Sequence, residues 1–300
     1  MKRGHGFYRY VAVRFLLSSL AFSFQDRPLT APELLRQGRL DEALAIFRQD
    51  TEIAPRSVAP WNGVGVVLDL QGHYAEARQY FARAIKVAVT SQEKVAALRA
   101  MAVAWGFTGD CKNAEKYETN AFQAYLASGD YPNAGEVANE MGRLCIDAGD
   151  FDRSREWYSR GHDTGLDEPN ITPARRDLWN FRWAHAQARL AVRRGRIQEA
   201  QKYVAAAKAI LDKGTNPEQQ EYFPYLAGYV AFYSGDYPEA LRTLKEAAIA
   251  DPFIQCLTAQ VYEKMGDTAN AQIYYRRAAS TTNHSVPAAY ARPFATKKLK

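Results

Sequence analysis

The sequence predicts an all-α fold, a superhelical solenoid of about seven stacked helical hairpins. A glycine-led pattern recurs along the chain, with a mostly apolar residue two positions after the glycine, a small residue five after it and usually a bulky residue nine after it. The seven glycines are Gly38, Gly72, Gly109, Gly149, Gly195, Gly235 and Gly266. A recurrence at about 34 residues is typical of stacked repeats rather than of one globular core.

The second copy shows how each hairpin is built. Trp61 and Leu68 recur at helical spacing, and Gly72 then ends this first helix, because glycine adopts the left-handed cap conformation without penalty. Tyr74 and Phe81 share a face of the second helix, with small residues between them that let the two backbones approach. Such a hairpin cannot bury its apolar face alone, so neighbouring copies must stack.

The other elements follow in chain order. The first unit is truncated, because residues 29–35 leave room for only a short first helix. Gly-Asp pairs predict four hairpin turns, in which the glycine ends one helix and the aspartate caps the next, at 109–110, 149–150, 235–236 and 266–267. A similar Gly129-Asp130 pair predicts the turn into the helix that contains Met141. Turn-forming residues in 165–172 precede an unusually long helix, predicted from about Pro173 to Arg194.

This pattern resembles the tetratricopeptide repeat family. The second copy carries the family signature almost position for position, as Trp61-x2-Val64-Gly65-x2-Leu68 and Gly72-x-Tyr74-x2-Ala77-x3-Phe81-x2-Ala84. The resemblance covers roughly residues 26–282. It implies a superhelix that binds other proteins and carries no catalytic site.

The basic charge is concentrated at the N-terminus. The chain has 39 basic and 33 acidic residues, a net charge of +6, and residues 1–23 contain four of the basic and none of the acidic ones. The remainder therefore carries 35 basic and 33 acidic residues, a net charge of +2. This balance argues against nucleic acid as a partner.

The same N-terminal stretch predicts an export signal. Basic residues to Arg14 precede the apolar run 15–24, and Ala21 and Ser23 place small residues where a signal peptidase cleaves. We expect an exported bacterial protein, periplasmic or secreted, with a signal at 1–23, repeats at 24–282, and a capping segment or tail at 283–300. No membrane-spanning helix is expected after cleavage. A mitochondrial presequence and an uncleaved cytoplasmic N-terminus are the alternatives.

No catalytic, cofactor or metal motif stands out. The five histidines are scattered singly, and the sequence holds no zinc-binding spacing, phosphate-binding glycine loop or nucleophile elbow. We therefore predict neither an enzyme nor a bound cofactor. Of the three cysteines, Cys111 and Cys145 occupy core positions of the repeat, where apolar packing and a disulfide bridge are the two interpretations.

The resemblance also implies candidate binding residues on the concave face, which first-helix residues line in this family. Mapping those positions and their neighbours gives eleven candidates: Asn62, Arg99, Asn139, Arg143, Arg182, His185, Arg189, Arg193, Tyr222, Tyr225 and Tyr229. Guanidinium groups bind carboxylates in two-pronged fashion, and tyrosine offers a large contact area at low entropic cost.

These residues suggest a non-enzymatic adaptor or scaffold whose groove binds extended or helical segments of a protein partner, with acidic segments favoured. Packing of the tyrosines against a neighbouring helix, and pairing of the arginines with nearby acids, is the competing interpretation. Two alternatives at the level of function are a structural subunit of an envelope-associated complex, held through its convex or end surfaces, and a solenoid that binds RNA or glycan.

Overall fold

The structure, a computed structural model, describes residues 28–248 and 250–300. These residues form fifteen α-helices and one 3₁₀ helix (Pro217–Tyr222), with no β-strand among them. The α-helices are α1 (Ala31–Arg36), α2 (Leu40–Ile53), α3 (Val58–Gln71), α4 (Tyr74–Val87), α5 (Ser91–Gly106), α6 (Cys111–Ala127), α7 (Tyr131–Ala148), α8 (Phe151–Leu166), α9 (Pro173–Arg193), α10 (Ile197–Leu211), α11 (Phe223–Ser234), α12 (Tyr237–Leu244), α13 (Pro252–Lys264), α14 (Thr268–Ala279) and α15 (Val286–Lys298). The predicted signal at 1–23 lies outside the described residues.

Consecutive helices pair into the seven predicted hairpins, from α1–α2 to α13–α14, and each hairpin packs on the next. All seven repeat glycines stand in the turn within a hairpin and have φ between 68° and 89°. Only glycine adopts this left-handed region at little cost, which explains why the glycine leads the repeat. The predicted all-α solenoid is therefore confirmed.

The caps also form as the sequence predicts. In each predicted Gly-Asp turn, the aspartate side chain accepts a hydrogen bond from the backbone N–H three residues later, at Asp110, Asp150, Asp236 and Asp267. Asp130 does the same at the start of α7. Each bond satisfies one of the backbone donors that a helix start leaves unpaired.

Glycine allows close contact between helices both within a hairpin, at Gly65, and between neighbouring hairpins, at Gly165. A methyl group on Gly65 would lie 2.7 Å from the ring of Phe81, which is fully buried between the helices of the second hairpin. A methyl group on Gly165 would lie 2.1 Å from the indole of Trp179. Gly165 thus lies inside α8 and packs on the long α9, and the predicted turn starts two residues later, after Leu166, with Asn170 at φ 57°.

The superhelix closes on itself through its last segment. Helix α15 packs not only on α13 and α14 but also on α5 and α7, which belong to the first half of the chain. Val286, Ala288 and Ala289 share one buried cluster with residues of α5 and α7. The 283–300 segment, predicted to be a cap or a tail, therefore lies against the inner face of earlier hairpins.

Two polar contacts fix this closure. The Nε2 atom of His284 lies 2.9 Å from an Asp69 carboxylate oxygen, and its ring lies between those of Phe81 and Phe107, each 5.3 Å away. Arg292 donates to the backbone oxygens of Leu70 and Thr281, both at 2.7 Å, and also to that of Ala279. Donors from α15 thus satisfy a carbonyl of α3, more than two hundred residues earlier.

Candidate functional site

The closed superhelix surrounds a cavity of about 850 Å³. Its wall contains residues from the first helix of every hairpin after the first, namely α3, α5, α7, α9, α11 and α13. The segment 284–287 and the 3₁₀ helix complete the wall. The volume lies in the usual range of ligand pockets.

Nine of the eleven predicted site residues line this cavity: Asn62, Arg99, Asn139, Arg143, Arg182, His185, Arg189, Tyr222 and Tyr225. They come together because each stands on the inner side of a first helix or, for Tyr222, at the end of the 3₁₀ helix. The mapping through the repeat positions thus places most of the set around one space.

Arg193 and Tyr229 do not line the cavity. Tyr229 is fully buried, and its hydroxyl accepts a hydrogen bond of 3.2 Å from Arg193 Nη1. The Arg193 guanidinium also lies 4.8 Å from the centre of the Tyr233 ring. Arg193 and Tyr229 therefore pack between α9 and α11 rather than facing the cavity. This agrees with the competing interpretation, in which the tyrosines pack against a neighbouring helix.

Three of the lining arginines are paired with acids. Arg99 bonds Glu140 at 2.6 Å, Arg143 bonds Asp147 at 3.1 Å, and Arg182 bonds Glu136. The Arg99 and Arg182 pairs are about one-third exposed, so water screens them and the net stability of each is small. The Arg143 guanidinium also lies 4.2 Å above the Phe253 ring, which holds it in place.

Arg189 differs from these three. It is only 5% exposed, and its Nη2 donates to the Tyr158 hydroxyl at 2.8 Å. Its Nε and Nη1 atoms have no hydrogen-bond partner. Because a guanidinium does not lose its proton in a protein, a buried positive charge borders the cavity with two unused donors.

Aromatic residues cover the wall beside Arg189. The Tyr225 ring lies 5.5 Å from the His185 ring, and the Tyr225 hydroxyl is buried without a partner. Burial, together with repulsion by Arg189 and Arg143, holds the pKa of His185 well below 6.5. The imidazole is therefore neutral at pH 7, and the arginines supply the positive charge of this part of the wall.

Two carboxyl groups lie buried behind the wall. Burial raises the pKa of Glu118 well above 4.5, and the nearby Glu140 raises it further while Arg99 opposes the shift. Neither carboxyl oxygen of Glu118 has a hydrogen-bond partner. Burial also raises the pKa of Asp147, but Arg143, Arg189 and Arg193 all offset that shift. The first carboxyl is isolated, and the second is shared among three arginines.

The sequence-based mapping missed two parts of the wall. Tyr158 belongs to a second helix, where the repeat pattern expects a core aromatic, yet it accepts the Arg189 hydrogen bond. The segment 284–287 was missed because it follows the last hairpin. The sequence did contain a signal, because the four alanines of α15 (Ala288, Ala289, Ala291 and Ala295) are small residues that allow close helix packing. In the structure all four are at most 2% exposed.

Other chemistry is sparse in the described part of the chain. Within residues 28–248 and 250–300, no group of three or more His, Cys, Asp or Glu side chains is placed to hold a metal ion. Cys111, Cys145 and Cys256 are buried free thiols, so the structure contains no Cys111–Cys145 bridge. None of the described helices is both long and apolar enough to cross a membrane.

The fold and the cavity together define an all-α helical-repeat protein with an open cavity on its inner surface. Two segments, 29–92 and 225–287, match the tetratricopeptide repeat model. These segments contain α1–α4 and nearly all of α11–α14, so the match to the model falls on the first two and the last two hairpins. The hairpins between them have the same helix–turn–helix order. No curated protein is significantly similar in sequence to this chain.

Solved structures show a similar fold. A tetratricopeptide repeat protein from Parabacteroides merdae ATCC 43184 has a TM-score of 0.50 at 14% identity, covering 83% of this chain and 89% of that one. The APC/C hetero-tetramer Cut9–Hcn1 gives 0.47 at 14% identity, and this chain, 83% of which is covered, spans only 44% of that one. BtubC from P. vanneervenii gives 0.43 at 14% identity, over 84% and 90% of the two chains. At such identities the likeness concerns the fold alone.

Proposed function

We propose that this protein is a non-enzymatic interaction module that receives a short segment of a partner protein in its inner cavity. Tetratricopeptide repeats generally mediate protein–protein interactions. The observation that carries the proposal is the cavity itself, because five successive first helices, α3 to α11, turn arginine, asparagine or tyrosine side chains toward one space. Arginine and tyrosine are enriched at protein interfaces.

The size of the cavity favours an extended segment over a helix. A helix with side chains is about 10 Å wide and rises 5.4 Å per turn, so 850 Å³ holds roughly two turns. A helix of ordinary length would extend beyond the cavity, whereas a few extended residues at a chain end or in a loop fit inside it. Residues 284–287 form part of the wall that sets this volume.

The charges at the wall favour an acidic segment. Arg182 and Arg99 hold their present acidic partners in partly exposed pairs, which contribute little net free energy. A partner carboxylate can therefore compete for these guanidinium groups at small cost. Tyr222, 45% exposed, provides an aromatic contact next to them.

The test is a selection of random peptides displayed on phage, carried out with the wild-type protein and with Ala96→Trp. Ala96 lies on α5 and is an exposed part of the cavity wall, so the indole fills space that a peptide needs. Selected peptides should be enriched in acidic residues and should bind the variant at least tenfold more weakly. Ala206→Trp, at an exposed position of α10 away from the cavity, is the matched control. Equal binding to both variants would assign partner binding to the convex or end surfaces instead.

We also propose that the protein is exported and loses residues 1–23. The support is the basic, acid-free stretch followed by the apolar run at 15–24. The intact mass of the protein isolated from its native cell tests this. A mass that begins near residue 24 supports export, and a mass that begins at Met1 contradicts it.

A further inference from the structure

Arg189 is buried at a cost that the described residues do not offset. It is the most buried guanidinium of the cavity wall, and two of its nitrogen atoms lack a hydrogen-bond partner. Buried unpaired donors on a charged group are expensive, and proteins seldom keep them without a reason. The unpaired hydroxyl of Tyr225 belongs to the same wall.

The charges around Arg189 also leave its burial without compensation. The guanidinium groups of Arg143, Arg189 and Arg193 all act on Asp147, whose side chain is only 7% exposed. Three buried or half-buried positive charges thus share one carboxylate. Only Arg143 bonds Asp147 directly, and Arg189 and Arg193 each bond a tyrosine hydroxyl instead. Of these two, Arg189 is the one that lines the cavity and has nitrogen atoms without a partner.

Apolar side chains also border this part of the cavity. Phe181 and Ile254 stand on the two helices that flank α11, and Val286 and Pro287 approach from the segment 284–287. A wall that is mostly apolar with a few placed polar groups is the usual character of a small-molecule pocket, and 850 Å³ is a usual size for one.

We propose that the cavity binds a small organic acid, with a single carboxylate on Arg189 and an apolar body against Phe181 and Ile254. The carboxylate accepts from the unused Arg189 nitrogens and from the Tyr225 hydroxyl. A small rotation of the flexible arginine side chain turns these donors toward the ligand. The inference goes beyond partner binding, because it requires no protein partner.

A carboxylate fits this position better than a phosphate does. Asp251 and Glu221 also line the cavity, and Asp147 lies behind Arg189. These acids repel a dianion more strongly than a monoanion. A neutral analogue is also disfavoured, because it leaves the Arg189 charge buried and unpaired.

The experiment is a titration of the full-length protein with hexanoate, phenylacetate and indole-3-acetate, each beside its uncharged amide, followed by ligand-observed NMR and calorimetry. We expect at least one acid to bind and its amide to bind at least tenfold more weakly. Arg189→Met should weaken acid binding at least tenfold, whereas Arg176→Met, at an exposed position of the same helix, should leave it unchanged.

Two further measurements guard against a folding artefact. The thermal midpoint of Arg189→Met should equal or exceed that of the wild type, because an unpaired buried charge is removed. Tyr225→Phe removes only a hydroxyl and should weaken acid binding severalfold.

Four results overturn the inference: no acid binds, an amide equals its acid, inorganic phosphate binds as well as the acids, or Arg189→Met binds normally. If acidic peptides bind but free acids do not, this inference fails while the proposed partner binding stands. If free acids bind and the peptide selection yields nothing, the reverse holds.

Discussion

The inner face of the superhelix differs between its two halves, although both are built from the same hairpin. On α3 and α5 the chain's own C-terminal segment covers part of the inner surface, with Ala289 in the apolar core and His284 on Asp69, and the remainder lines the cavity. On α9 and α11 the corresponding surface borders the cavity, where Arg189 and Tyr225 keep unused donors. The C-terminal segment thus adds packing to the covered half, whereas the open half presents unpaired polar groups at the cavity.

The two buried carboxyls show the same contrast. Glu118, behind the covered half, has no hydrogen-bond partner at its carboxyl oxygens, whereas Asp147, behind the open half, faces three arginines. Burial raises the pKa of both carboxyls, but the three guanidinium groups offset part of the rise for Asp147. Two of these three buried or half-buried positive charges, Arg143 and Arg189, line the cavity.

The largest expected effect on stability comes from a substitution that separates α15 from α5. Ala289→Asp places a charge at a position that is 2% exposed and lies against Gly106 of α5. We expect a loss of about 3–5 kcal/mol in the free energy of unfolding, measured in urea, because the charge has no partner there. Hydrogen exchange should rise more in α5 than in α9 and α11.

Thr296→Asp, at an exposed position of the same helix, is the control and should cost no more than about 0.5 kcal/mol. An equally small loss for Ala289→Asp would mean that α15 does not cover α5 in solution, and the contrast between the halves would disappear.

A smaller effect is expected from the polar contact of the closure. His284→Ala leaves the fully buried Asp69 carboxylate without its partner and should cost about 2 kcal/mol. A double-mutant cycle with Asp69→Asn measures the coupling between the two side chains, which should be about 1–3 kcal/mol. If the losses of stability in the two single variants simply add in the double variant, His284 contributes through the packing of its ring on Phe81 and Phe107 rather than through Asp69.

The buried carboxyl of the covered half predicts a pH effect. Because the folded-state pKa of Glu118 is raised, the folded protein keeps a proton that the unfolded chain releases as the pH rises above about 4.5. Stability contributed by this group therefore falls with rising pH. Glu118→Gln cannot ionise, so its stability relative to the wild type should increase by about 1 kcal/mol or more between pH 5 and pH 8.

Glu156→Gln, at an exposed position, should show no such change between the two pH values. Parallel pH profiles for Glu118→Gln and the wild type would mean that Glu118 ionises freely in the folded state. Glu118 and Asp147 would then differ in their neighbouring side chains but not in their ionisation.

The smallest effect is expected at the border of the cavity. Arg182→Ala breaks a pair with Glu136 that water reaches, and should cost less than about 1 kcal/mol. A thermal melt beside that of Ala289→Asp compares the two halves directly. A loss as large as that of Ala289→Asp would make the cavity wall a structural element rather than a binding surface.

The hairpins were predictable because their determinants are local. A glycine such as Gly72 sets its own backbone, and an aspartate such as Asp150 caps the next helix, so the pattern could be followed one unit at a time. The site was predictable to the extent that it follows the repeat, which places Arg189 and Tyr225 correctly at the cavity wall.

What escaped prediction depends on distant parts of the chain. No residue near His284 in the sequence indicates that it will contact Asp69, because the two are 215 positions apart. Tyr229 failed as a site residue for a related reason. Its helical position matches that of Tyr225, but the neighbouring α9 takes up its hydroxyl through Arg193.

The contact of Arg292 with Leu70 has a consequence for how the molecule unfolds. An open solenoid behaves as a one-dimensional array, whose end repeats fray first and whose unfolding spreads from unit to unit. Here a residue bonds a partner 222 positions earlier, so the array has been joined into a ring and its last helix is held by its early ones. The last helix is then not free to fray alone, and the part of the chain from α3 to α15 should unfold in one cooperative transition, more like a globular domain than a repeat array.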